Sequence, residues 1–191
     1  MLDKLQKLLN DNALLIEDSV GNIENDSFKG IKVTVINFEK IIEIFSTTLK
    51  MGNRLKCVDA IKFNNASNTL FLIEWTSYKK CSKHFKTTFE CFLDKQYNYE
   101  LINKAVDSIF MFLGLIGFYD IHKDFFGYFL DTQEGKNKLK VKTVLLSDVD
   151  DMELSALDLT TLEKQNISLT KRISSPIIIS NSSSFSQDFN Y

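Results

Sequence analysis

Two apolar segments in the middle of the chain, Lys56–Phe63 and Thr69–Ser77, constrain its fold more than any other feature. Each has the length and patterning of a strand, and Asn64–Asn68 between them is rich in turn-favouring residues. With Phe63 opposite Leu70, Ile61 faces Leu72, Asp59 faces Glu74 and Cys57 faces Thr76. Side chains alternate along a strand, so all eight share one face. The other face carries Val58 and Ala60 against Phe71, Ile73 and Trp75. Both faces are mostly apolar, which places the hairpin inside a sheet covered on both sides.

The flanking sequence supplies the cover. Met1–Asn10 reads as a short amphipathic helix. Ala13–Ile16 and Ile31–Ile36 are apolar runs that can pair as an early hairpin. Asn37 is placed to cap a helix whose Phe38, Ile41, Ile42, Phe45 and Leu49 form one face, with Gly52-Asn53 at its end. Thr87–Leu93 fits either helix or strand. Glu100–Tyr119 is a long helix, apolar on nearly every side in its second half, and such a helix belongs at the centre of a fold. Leu139–Ser147 reads as a third strand. Asp148–Gln165 reads as an acidic helix, with five acids and no base from Asp148 to Asp158. Pro176–Ile179 can dock as an edge strand, and the Ser- and Asn-rich Ser180–Tyr191 reads as a disordered polar tail. The expectation is an α/β fold: a mixed central sheet flanked by helices, one domain over 1–179 and a tail over 180–191.

Composition bounds the function. A chain of 191 residues builds one complete core. Phe is abundant, 16 residues against one Trp and one Pro, which favours an aromatic core with surplus for an interface. The net charge of −2 lacks the basic excess of a protein that grips nucleic acid alone, so phosphate contacts have to be local. Two basic stretches exist, Lys79, Lys80, Lys83 and Lys86, and Lys136, Lys138, Lys140 and Lys142; each reads first as a solvated edge. The longest apolar run, Ile109–Tyr119, is shorter than the roughly 20 residues of a membrane span, and Met1–Asn10 lacks a signal-peptide core. Cys57, Cys81 and Cys91 show no CxxC spacing and read as reduced thiols of a cytoplasmic protein.

The chemistry-bearing feature is the opposed pair Asp59 and Glu74. Directly opposite residues put their Cβ atoms roughly 4.5–5.5 Å apart. Two acids at that spacing destabilise a sheet, and burial raises at least one pKa. A positive charge relieves them, either a divalent cation held by carboxylate oxygens or a nearby lysine. A different register, with one acid in water at a strand end, removes the problem.

Cys57-Val58-Asp59-Ala60-Ile61 followed by Leu72-Ile73-Glu74-Trp75-Thr76 resembles the signature of the PD-(D/E)XK nucleases. The resemblance covers Phe38–Ser147 and implies a restriction-endonuclease-like core: helix, three-stranded meander, helix, strand. It implies that Asp59 and Glu74 bind Mg²⁺, with a further acid drawn from the first helix, Glu39 or Glu43; the alternative for both is an exposed helix face with Lys40 and Lys50. In the family a lysine two residues after the Glu contacts the attacking water. Here that position holds Thr76. A hydroxyl does not stabilise a developing anion as an ammonium does. Lys79 or Lys80 would have to reach back, and Lys79, five residues after Glu74, faces the other side unless the strand bends or ends near Ser77.

Cys81-x-x-His84 with Cys91 resembles half a zinc site but lacks a fourth ligand, and neither His84 nor His122 has triad partners. Phosphate-loop, dinucleotide-binding and nucleophile-elbow motifs are absent. Three functions follow. The first is a catalytically degenerate nuclease-like module, a subunit or adaptor whose partner is a protein, or nucleic acid held jointly with another subunit, and by analogy a member of an anti-phage or mobile-element system. The second is an active Mg²⁺-dependent nuclease with Lys79 as a displaced lysine. The third is an unrelated α/β interaction protein whose Asp59 and Glu74 lie in different environments. No membrane partner is expected.

Overall fold

The computed structural model describes residues 2–23, 27–50, 56–85, 88–89, 92, 101–118, 140–155 and 178–189. Its centre is a six-stranded mixed sheet in the order β1-β2-β3-β4-β5-β6. The strands are β1 (Glu17–Ser19), β2 (Thr34–Asn37), β3 (Ala60–Asn64), β4 (Thr69–Thr76), β5 (Lys140–Ser147) and β6 (Ile178–Ser180). The helices described are α1 (Leu2–Asp11), α2 (Val20–Ile23), α3 (Phe38–Thr48), α4 (Tyr78–Phe85), α5 (Ile102–Phe118), α6 (Asp151–Ser155) and α7 (Ser182–Phe189). The α/β class and the mixed sheet agree with the sequence expectation. None of the described helices is long and apolar enough to cross a membrane.

Pairing changes sense at β4. The first four strands are antiparallel, whereas β4–β5 and β5–β6 are parallel. Antiparallel neighbours need only a turn, and Asn64–Asn68 provides one. Asn64 Oδ1 accepts from Ser67 N at 3.0 Å, and Asn68 sits at φ 51°, a conformation asparagine tolerates. Parallel neighbours need a crossover, and the chain between β4 and β5 contains α4 and α5. The early hairpin forms as β1 with β2, its first strand a few residues later than expected. The edge strand near Pro176 is β6, parallel to β5.

Each face of the sheet is covered. On one, Ile36, Ile61, Leu70, Leu72 and Val141 meet Leu9 of α1, four apolar residues of α3, and Ala105, Ile109, Phe112 and Leu115 of α5. Phe38 and Phe112 meet edge to face, with ring centroids 5.9 Å apart. The helix start is as expected: Asn37 Oδ1 accepts from Lys40 N at 2.9 Å. Its end comes earlier than the expected Gly52-Asn53: the helix stops at Thr48, with Leu49 as its C-cap and Lys50 at φ 54°. On the other face, Ala60, Phe71, Ile73, Val144 and Leu146 meet Val20, Phe28, Ile31 and two aromatic residues of α7.

Three expectations need correction. Ser182–Phe189 is not a disordered tail but a helix. Asn181 Oδ1 accepts from Ser183 N and Ser184 N and caps it. Phe185 and Phe189, one turn apart, are buried and stacked, and Phe189 meets Phe71 edge to face. Two aromatic anchors at helical spacing outweigh a polar composition. Next, α5 is central but not covered on all sides, because Phe110 is 65% exposed and Asn103 and Gly114 on the same face are exposed too. Finally, the strand expected from Lys56 begins only at Ala60. The backbone before it bonds to helices: Val58 N donates to Ser108 Oγ at 2.8 Å, and the Asp59 carbonyl accepts from Phe38 N and Glu39 N. Alternation therefore breaks at Asp59, and Cys57 and Val58 both pack into the α3–α5 side.

Candidate functional site

The hairpin register is as the alternation predicts: Phe63 pairs with Leu70, Ile61 with Leu72 and Ala60 with Ile73. One step further, Asp59 falls opposite Glu74. Its carboxylate Oδ2 accepts from Trp75 N at 2.8 Å, taking the place of a ladder bond where β3 has not yet begun. Glu74 is interior to β4 and only 8% exposed. The two carboxyls are close enough to hydrogen bond when one carries a proton.

The residue that completes the cluster is Lys104. It stands in the first turn of α5 and its Nζ donates to Glu74 Oε1 in a salt bridge that is mostly buried. Its placement is fixed by a relay. Ser108, one turn later and fully buried, donates to the Lys104 carbonyl at 2.6 Å and accepts from Val58 N at 2.8 Å. The hydroxyl thus ties the start of α5 to the residue preceding Asp59, so the lysine and both acids are held by one piece of scaffold.

Electrostatics follow from burial. Loss of solvation pushes Glu74 up to about 8, the charge of Asp59 pushes the same way, and Lys104 opposes both. Burial likewise pushes Asp59 up to about 6 against the Trp75 N–H and Lys104; Glu39 adds a smaller upward push. Glu74 Oε2 is buried and accepts no hydrogen bond from the protein. Ser147 Oγ, on the same side of the sheet one strand over, is also buried without a partner. A carboxylate oxygen in that position requires a donor, met by a proton on one acid or by a cation.

The other residues singled out by sequence fall into place around this cluster. Glu39 sits at the exposed N-terminus of α3, near enough for its charge to be felt at Asp59. Glu43 points to solvent and pairs with Lys40 at 2.8 Å. Among the described residues, no group of three or more His, Cys, Asp or Glu side chains converges to hold a metal ion. Asp59 and Glu74 with the open Oε2 still fit the smaller demand of Mg²⁺, which is commonly held by one or two carboxylates plus water or phosphate. Thr76 ends β4, half-exposed. Lys79 is in the first turn of α4, its backbone N donating to Asp148 Oδ1 at 3.0 Å. Cys57 is buried in the core. Cys91 and His122 lie outside the described residues.

Lys104 was legible in only one respect. Two opposed acids require a cation, and the apolar helix that follows them carries Lys104 in its first turn. Nothing in the spacing alone selects it over Lys79. Comparison with protein-family models, curated proteins and solved structures finds no match. The case for function therefore rests on the chemistry of this cluster.

Proposed function

We propose that the chain is a PD-(D/E)XK nuclease-like module that has lost catalysis and serves as a subunit or adaptor in a nucleic-acid-processing system, with an anti-phage or mobile-element setting by analogy. The observation that supports it is that Asp59, Glu74 and Lys104 neutralise one another. Two acids sharing one proton beside one ammonium form a cluster of zero net charge. Such a cluster needs no metal to offset its charge. Lys104 is engaged with Glu74, and Thr76 offers no second ammonium for an attacking water. Asp59 and Glu74 share one environment, as this reading requires.

A specific observation favours a second reading, an active Mg²⁺-dependent nuclease. Lys104 brings an ammonium from the crossover helix to the acid pair, where Thr76 brings none. A bound divalent cation would polarise the phosphodiester and lower the pKa of its water. In that case Asp59 and Glu74 would hold the cation, and Lys104, released from Glu74, or a displaced Lys79 would offset charge developing on the phosphate.

The two readings separate in one assay. Wild type, Asp59→Ala, Glu74→Ala and Lys104→Ala are compared for cleavage of single- and double-stranded DNA and RNA with Mg²⁺ and with Mn²⁺. No cleavage by any of the four supports the degenerate module. Cleavage by wild type that disappears in all three variants establishes the active nuclease.

A further inference from the structure

We infer that Lys104 is a built-in antagonist of a divalent cation at Asp59 and Glu74: its ammonium pairs with Glu74, and the two acids take a cation only as that pair opens. The inference rests on the reading of Asp59 and Glu74 as a nuclease-like acid pair, and it holds whether or not cleavage survives. Three carboxylate oxygens have distinct roles. Asp59 Oδ2 accepts from Trp75 N at 2.8 Å, so the backbone of β4 holds that acid in place. Glu74 Oε1 accepts from Lys104 Nζ. Glu74 Oε2 is buried and accepts no hydrogen bond from the protein, on a residue only 8% exposed. An acceptor left open in the interior is where a further positive partner gains most. An ammonium and a divalent cation at one carboxylate repel each other, however, and most strongly where water is excluded. Glu74 can therefore serve either partner well, but not both together.

The scaffold suits Lys104 to such an exchange. Its backbone is fixed: Ser108 Oγ donates to the Lys104 carbonyl at 2.6 Å and accepts from Val58 N at 2.8 Å, one residue before Asp59. Its side chain is a flexible four-carbon stem that carries a compact charge. That side chain is 22% exposed, against 11% for Glu74, so the lysine lies nearer the surface than the acid it pairs with. Asp107, three residues on along α5 and half-buried, is its neighbour on the helix surface, where a displaced ammonium can pair. Both readings of the site contain this step. In the degenerate module the Lys104–Glu74 bridge stays closed. In the active nuclease it opens when the acids are loaded, and the released ammonium becomes available to the phosphate.

Mn²⁺ binding to the full chain is measured by calorimetry for wild type, Lys104→Met, Lys104→Arg, Glu74→Gln and Lys104→Met/Glu74→Gln. Lys104→Met is expected to bind about tenfold more tightly than wild type or better, the scale of effect of one nearby charge. Lys104→Arg keeps the charge and should show no gain, and Glu74→Gln should abolish the gain in the Lys104→Met background. A gain that persists without Glu74, or that Lys104→Arg shows equally, overturns the inference. Wild-type binding that Glu74→Gln removes but Lys104→Met leaves unchanged or weakens also overturns it, while the acid pair keeps its reading as a cation site. Absence of Glu74-dependent binding in both wild type and Lys104→Met overturns that reading as well. Circular dichroism of each variant confirms that the fold is intact. Should Lys104→Met fail to fold, Lys104→Gln takes its place with the same expected gain, since its amide still donates to Glu74 but carries no charge.

Discussion

At the scale of single residues, the protein is organised by how it manages two opposed acids. Glu74 holds its proton more tightly folded than unfolded, its pKa rising from 4.5 to about 8, and Asp59 shifts in the same direction, from 3.8 to about 6. The folded state therefore binds more protons over this range. The stability these groups contribute is complete below their unfolded values and is lost as pH rises through their folded ones. Wild type is expected to lose stability between about pH 5 and pH 8, and Glu74→Gln to flatten that slope, in chemical denaturation across pH. Near pH 9 the Gln variant should be the more stable of the two, by on the order of 1 kcal/mol. An unchanged slope would show that Glu74 is not the titrating group. Lys104→Met should cost about 1–3 kcal/mol near neutral pH, because it strips a buried acid of its donor. Combining it with Glu74→Gln should recover most of that loss, and the double-mutant cycle reads the coupling directly.

At the scale of elements, helices decide what the strands cannot. Ser108 joins α5 to the backbone at Val58, so Ser108→Ala leaves a buried N–H without an acceptor. A cost of about 1–3 kcal/mol is expected, together with a change in the pH slope, since Lys104 loses its anchor. Loss of stability with an unaltered slope would mean that Ser108 supports the fold without positioning Lys104. The C-terminal helix makes a separate case. Phe185 is fully buried against the sheet, so Phe185→Ala should cost about 3–5 kcal/mol in thermal or denaturant unfolding. A true disordered tail would show no effect, and deletion of Ser182–Phe189 would then be harmless.

At the scale of the whole molecule, the sheet divides the tasks. The α3–α5 side carries the acid cluster, and the other face is closed by Phe185 and Phe189 of α7. Phe110 is the one large apolar side chain of α5 that stands well exposed among the described residues. Phe110→Ser is expected to change the stability of the isolated chain by no more than about 0.5 kcal/mol, as for other exposed positions. A larger loss in denaturant titration would show that this side chain is covered in solution.

The sequence by itself determined the α/β class, the central hairpin and its register, and the meeting of Asp59 with Glu74. Period-2 alternation around a strong turn favours the pairing that buries both apolar sets, and Ala60–Asn64 follows it against Thr69–Ile73. The Asn37 cap and the strand that forms at Lys140–Ser147 were legible for similar local reasons. What only the tertiary structure decided is which groups the fold brings from far along the chain. Lys104 lies 30 residues beyond Glu74, and its choice over Lys79 depends on how α5 crosses the sheet. The early end of β3 depends on competition from Phe38, Glu39 and Ser108 for the backbone hydrogen bonds of residues 58 and 59. The docking of α7 depends on a hydrophobic surface around Phe71 that exists only once the sheet has formed. Periodicity reports neighbours within a turn or a strand pair, and long-range packing selects among the partners that remain.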